Sequence, residues 1–156
     1  MNKAFLLFLL GVAACAKTQV APAPKPTPRT VSWRVESREL TTDRWVSGRS
    51  PDGTRSVIGR EYVGDRLVSE VELAFPAAVG THPFGATSPG WARYSREGVR
   101  YYAGTVPGRG APVGSGTVVL TAAQDGVAVG TFTFTGIDPV SQAEKTVTHG
   151  TFRVSI

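Results

Sequence analysis

From Val31 onward the apolar side chains recur at every second position, and no stretch of helical length carries the i, i+3, i+4 stripe that a packed helix needs. Such a chain is confined to strands. In Val31-Ser32-Trp33-Arg34-Val35-Glu36 the apolar residues fall on odd positions and the polar ones on even positions, as a sheet with one wet face requires. Leu67, Val71, Leu73 and Phe75 repeat that logic, with Glu70 and Glu72 pointing the other way, which reads as a solvated strand face rather than an acid pair.

Turn chemistry separates the runs. Ser50-Pro51-Asp52-Gly53, Val63-Gly64-Asp65-Arg66, Glu97-Gly98 and Gln124-Asp125-Gly126 each supply residues tolerant of positive φ and read as hairpins. The expected strands lie near 31–38, 42–49, 54–63, 66–75, 90–96, 99–105, 115–123, 127–136 and 145–155. Short strands at this rhythm predict an all-β domain, an antiparallel β-sandwich or partly closed barrel of about 8–9 strands. Gly130-Thr131-Phe132-Thr133-Phe134 is echoed by Gly150-Thr151-Phe152-Arg153-Val154, and two copies suggest a hairpin of neighbouring strands rather than a solenoid. Apolar parity falls on Val147 before Gly150 and on Phe152 after it, so a bulge at the glycine is expected.

The first thirty residues are of another kind. A charged start (Asn2, Lys3), an apolar stretch over residues 4–12 and small residues before Cys15 make an export signal too short to span a bilayer. Val12-Ala13-Ala14-Cys15 resembles the bacterial lipobox. That resemblance implies removal of residues 1–14, diacylglycerol on the Cys15 thiol, and stable anchoring of the mature chain to a lipid bilayer. Ala14-Cys15-Ala16 also satisfies the rule for an ordinary secretory cleavage, which would release the chain instead. Ala16 after the cysteine resembles outer-membrane sorting in two-membrane bacteria. Residues 15–30, with Pro22, Pro24, Pro26 and Pro28, cannot pair as a strand; at about 3.1 Å per residue they form a spacer reaching roughly 40 Å, or a ligand for a proline-reading partner. Residues 31–156 then form one β-domain, and with Cys15 acylated it folds without any disulfide.

The chain is formally +5, which invites a nucleic-acid reading. Lys3, Lys17, Lys25 and Arg29 lie in the leader and spacer, so residues 31–156 keep thirteen of the seventeen bases against all twelve acids. The domain is near neutral, and nucleic acid is not an expected partner. An arginine surface built from Arg93, Arg96 and Arg100 is one alternative to a merely solvated face.

Candidate chemistry is sparse. His82 and His149 are too few and too separated for a metal pattern, and no thiol remains to complete one, so no metal or cofactor is expected. The G-x-S-x-G elbow is absent; only a spatial grouping of Ser115, His149 and Asp138 would make a hydrolase. Gly108-Arg109-Gly110 and its neighbours follow no parallel strand and open no helix, so they read as a loop. Trp91, Tyr94, Tyr101 and Tyr102 crowd two consecutive strands and form the candidate ligand surface, with edge packing as the plainer alternative.

The twin G-T-F strands, Gly80-Thr81-His82-Pro83-Phe84-Gly85 and Ser115-Gly116-Thr117-Val118-Val119-Leu120 together resemble a family of small bacterial envelope lipoproteins of unknown function. The likeness spans the leader and about the last half of the chain, with Phe84 where the family has leucine in its loop motif. It implies an exported β-domain and supplies no catalytic residue. The expectation is therefore a non-enzymatic, membrane-anchored lipoprotein of the cell envelope. It would contact an envelope protein, a glycan or a small ligand, or serve a purely structural role.

Overall fold

A computed structural model describes residues 27–105 and 113–156; the expected leader, Cys15, residues 15–26 of the expected spacer and residues 106–112, with the Gly108-Arg109-Gly110 run, lie outside the described residues. Eleven strands are present: β1 (Thr30–Val35), β2 (Arg38–Thr42), β3 (Trp45–Arg49), β4 (Thr54–Val63), β5 (Arg66–Pro76), β6 (Gly80–Phe84), β7 (Trp91–Arg96), β8 (Val99–Gly104), β9 (Ser115–Gln124), β10 (Val127–Ile137) and β11 (Glu144–Ser155). Every pairing between them is antiparallel. The hydrogen-bonded path runs β2-β1-β11-β10-β8-β7-β5-β4-β3, with β9 and β6 branching from β10. One edge of β10 is shared: β9 takes most of it, and β8 meets it only where Ile137 faces Tyr102.

The two ends of this path curl toward each other, leaving a nearly closed barrel. Thr42 Oγ1 donates to the Arg60 carbonyl (2.7 Å), and the Arg60 amide donates to the Arg44 carbonyl (2.9 Å). Arg38 of β2 pairs with Glu61 of β4 across the same seam. The seam is tight because β4 carries Gly59 there: a β-carbon on it would lie 2.8 Å from Val31 Cγ1 and 3.1 Å from the Trp33 ring. The interior holds Val31, Trp33, Val57, Leu73, Phe75, Leu120, Phe132, Phe134 and Phe152, all essentially removed from water.

Four hairpins fall at the expected turns, and two of them place both central residues at positive φ, Glu97 and Gly98 (51° and 87°) and Asp125 and Gly126 (53° and 71°). The twin motifs are indeed neighbours, with Thr131 opposite Thr151, Gly130 opposite Phe152 and Phe132 opposite Gly150. The register slips between Phe132 and Phe134, and the residue that absorbs it is His149, at φ +52°, one position before the expected glycine.

Several expectations are corrected. The expected strands 31–38 and 42–49 are three strands, because the chain turns at Glu36 (φ +56°) and Ser37 and bends again at Asp43 and Arg44. Of the residues that mark turns this pair offers only Ser37, the weaker kind, and no glycine, proline, asparagine or aspartate. Residues 80–84, read as a loop because of His82 and Pro83, form strand β6 along β9, with Pro83 at a sheet edge where its missing amide is tolerated. His82 stacks on Phe75 at 6.2 Å between ring centroids and donates from Nε2 to the Ala78 carbonyl (2.7 Å).

Glu70 and Glu72 do point away from the interior, yet they are not a solvated face. Glu70 is 7% exposed. Arg60 Nε donates to Glu70 Oε2 (2.8 Å) and Arg93 to Glu70 Oε1 (2.6 Å), and Arg93 also reaches Glu72 (2.6 Å). Three adjacent strands thus bring two arginines over two carboxylates, and the aliphatic stems of the arginines cover them.

Candidate ligand-binding site

The four aromatics divide between the two faces of their strands. Tyr94 and Tyr101, paired across β7 and β8, face inward and stack at 6.2 Å between centroids. Tyr94 is buried, and burial pushes its phenol above the usual tyrosine range while Arg96 opposes that shift. Trp91 and Tyr102 face outward, Trp91 half-buried and Tyr102 buried beside Asp138, Pro139 and Val140. No common platform joins them. The arginines singled out with them also scatter: Arg93 is held by Glu70 and Glu72, Arg96 lies beside Tyr94, and Arg100 is exposed on the outer face.

Ser115, His149 and Asp138 make no hydrogen bond to one another among the described residues. The Asp138 carboxylate accepts from the amides of Val140 (3.1 Å) and Ser141 (3.3 Å) and from the Ser141 hydroxyl, which holds it below the usual aspartate range. His149 Nδ1 lies 3.1 Å from Thr148 Oγ1. No group of three His, Cys, Asp or Glu able to hold a metal occurs among the described residues.

The two ends of the barrel differ in how their polar groups are used. At one end, Glu61 and Ser69 face inward from β4 and β5. Ser69 Oγ donates to Glu61 Oε2 (2.7 Å), Arg38 pairs with Glu61, and Tyr94 and Tyr101 lie alongside. Glu36, at the β1–β2 turn of the same end, is bound by Lys145.

The opposite end opens into a cavity of about 690 Å³, lined by the β3 residues Trp45, Ser47 and Arg49, by Arg55, by the β9–β10 turn and by Ser155 and Ile156. That volume suits a small ligand. Trp45 is fixed: its Nε1 donates to the Arg29 carbonyl (3.1 Å), and its ring packs on the core. Ser47 donates to the Ser155 carbonyl and ties β3 to the end of β11.

Arg55 is the unusual member. It shares its strand face with Val57 and Gly59, and so points into the barrel with only 5% of its surface exposed. The buried polar side chains among the described residues are Arg55, Ser69 and Glu70. Ser69 and Glu70 are hydrogen-bonded. The Nε of Arg55 has no partner, and no ion pair involves the residue. Burial draws its guanidinium below the usual arginine range, and Arg49 adds to that shift. Sequence reading missed Arg55 because Val57 and Ile58 are adjacent, so β4 can be read with either face inward; only the register against Phe75 settles which side Arg55 takes.

Compared with known proteins, the chain matches no family model, and neither a curated protein nor a solved structure is significantly similar to it.

Proposed function

We propose that this chain is a lipid-anchored, non-catalytic binding module of a bacterial envelope, whose β-barrel holds a small ligand at its open end. The lipobox-like Val12-Ala13-Ala14-Cys15 and the proline spacer support the anchor and stalk. The observation that carries the binding role is the contrast between the barrel ends. At one end a smaller cavity of about 420 Å³ has its part-buried carboxylate, Glu61, already held by Arg38 and Ser69, while the larger cavity at the other end has a buried cation, Arg55, without a counter-charge. Trp33 Nε1 and the Nε atoms of Arg93 and Arg153 are likewise unpartnered among the described residues, but Arg55 is the charged side chain there that is both buried and without an ion pair.

The mouth lies where the chain enters the barrel. Trp45, on the cavity wall, donates to the Arg29 carbonyl, so Arg29 lies beside the opening. The test has two arms. In detergent phase partition the native product enters the detergent phase and Cys15→Ala the aqueous phase; native protein in the aqueous phase overturns the anchor. A thermal-shift panel of membrane lipids, fatty acids, glycans and peptidoglycan fragments should contain a stabiliser, and a panel without one overturns the binding role.

A further inference from the structure

We propose that the open end of the barrel binds an amphiphilic oxyanion, a single carboxylate or phosphodiester group on an apolar body, with Arg55 as its deep cation and Arg49 as its rim cation. This rests on the reading of the domain as a binding module and names the chemistry of its ligand.

The cations come first. Arg49 and Arg55 are direct register partners on β3 and β4 and both belong to the face that lines the cavity. Like charges directly opposite on neighbouring strands repel, and a buried guanidinium without a counter-charge carries a desolvation penalty that no contact offsets. All twelve acidic residues lie among the described residues, and none forms an ion pair with either arginine. Asp52, in the turn between the two strands, is committed to the Thr54 amide (2.8 Å). Asp125 lines the rim without engaging the arginines. An oxyanion supplied from outside satisfies both cations, and the planar guanidinium of Arg55 matches a carboxylate or phosphate with two parallel hydrogen bonds. Asp125 opposes a second negative charge, which favours a monoanion.

The apolar part follows from the walls. Trp45, Ala123 and Ile156 flank the arginines, and Trp45 and Ala123 continue into the core. A bare inorganic anion leaves this surface wet, whereas an acyl or alkyl chain covers it at about 25 cal/mol per Å² of apolar area removed from water.

The experiment uses the full chain with Cys15→Ala, so that its own acyl groups do not compete. Titration calorimetry and thermal shift are run with decanoate, with dihexanoyl-phosphatidylglycerol, with acetate and with octyl glucoside, each below its micellar concentration. Decanoate or the phosphatidylglycerol binds and raises Tm, and which of them binds more tightly separates a fatty acid from a phospholipid source. Acetate and octyl glucoside, each lacking half of the recognition, bind at least about tenfold more weakly, as expected when a charge-assisted pair or its apolar partner is missing. Arg55→Met lowers amphiphile affinity by at least about tenfold and raises the Tm of the ligand-free protein, because an unpartnered buried cation has been replaced by an apolar chain. Arg49→Ala, on the exposed rim, weakens binding by a smaller factor. Octyl glucoside binding as tightly as decanoate, with Arg55→Met without effect, overturns the oxyanion while leaving a binding module. Acetate binding as tightly as decanoate overturns the apolar half. A lower ligand-free Tm for Arg55→Met overturns the assignment of Arg55 to a ligand. Silence from all four probes overturns the oxyanion, and a stabiliser found elsewhere in the wider panel then still preserves the binding role.

Discussion

The ring of Phe152 lies over the α-carbon of Gly130, its direct partner across the β10–β11 hairpin, in the space a β-carbon would need. Phe132 and Gly150 repeat the arrangement two residues along, so the twin G-T-F motifs are two halves of one reciprocal contact. Gly130→Ala pushes the new methyl into the Phe152 ring and the Val119 carbonyl, and the carbonyl cannot move aside. The expected loss is about 1–3 kcal/mol in urea unfolding, against about 3–5 kcal/mol for Phe152→Ala, which empties the site. An alanine variant as stable as the native chain would rule out the reciprocal contact.

Closure of the barrel depends on Gly59 in the same way. A β-carbon there would stand 2.8 Å from Val31 Cγ1, so Gly59→Val forces β4 away from β1. Stability should fall by about 1–3 kcal/mol. Because Trp33 lines the same seam, its fluorescence should shift to longer wavelength as water reaches it. A destabilised variant with unchanged Trp33 emission would place the damage elsewhere.

The outer clamp joins β4, β5 and β7 through Glu70. Glu70→Gln removes the charge shared by Arg60 and Arg93 while keeping its shape. The arginine side chains are 35% and 25% exposed, so water screens part of the loss, and about 1–2 kcal/mol is expected rather than the larger figure for a fully buried pair. The difference from the native chain should shrink as salt is raised.

Glu72 makes stability depend on pH in a direction opposite to most surface carboxylates. Burial raises its carboxyl above the ordinary 4.5, and Glu70 adds to this, although Arg93 opposes it. The folded chain therefore holds this proton longer than the unfolded chain. Its contribution to stability is present at and below the ordinary value and declines as pH rises through the raised one. Glu36, Glu39, Asp52 and Asp138 are lowered by their hydrogen bonds and act in the other sense, losing their contribution as the solution is acidified. Glu72→Gln should remove only the decline just above pH 4.5, so the Tm difference between native and variant should grow in the variant's favour with pH across that window. A difference independent of pH would contradict the assignment.

The alternation Val31-Trp33-Val35 and the turns at Gly53, Gly64, Gly98 and Gly126 were legible in the chain, because period two and tolerance of positive φ are local properties. So was the pairing of the twin glycine-threonine-phenylalanine runs. The turn at Glu36 was not, since Glu36 and Ser37 bring no glycine, proline or asparagine to a local hairpin, and the edge strand at residues 80–84 was not, since its partner β9 is distant in sequence. The candidate site was illegible for a related reason. Tyr94, Tyr101 and Tyr102 are conspicuous as letters, yet the pleat of their strands puts Tyr94 and Tyr101 on one side and Tyr102 on the other. Arg55 is one arginine among thirteen until register turns it inward, where no carboxylate pairs with it. Sequence by itself determined the strands, most of the turns and the parity of the core, because those follow from neighbours along the chain. Which charges are paired and which stay alone depends on how strands far apart in sequence are aligned, and only the tertiary structure decides that.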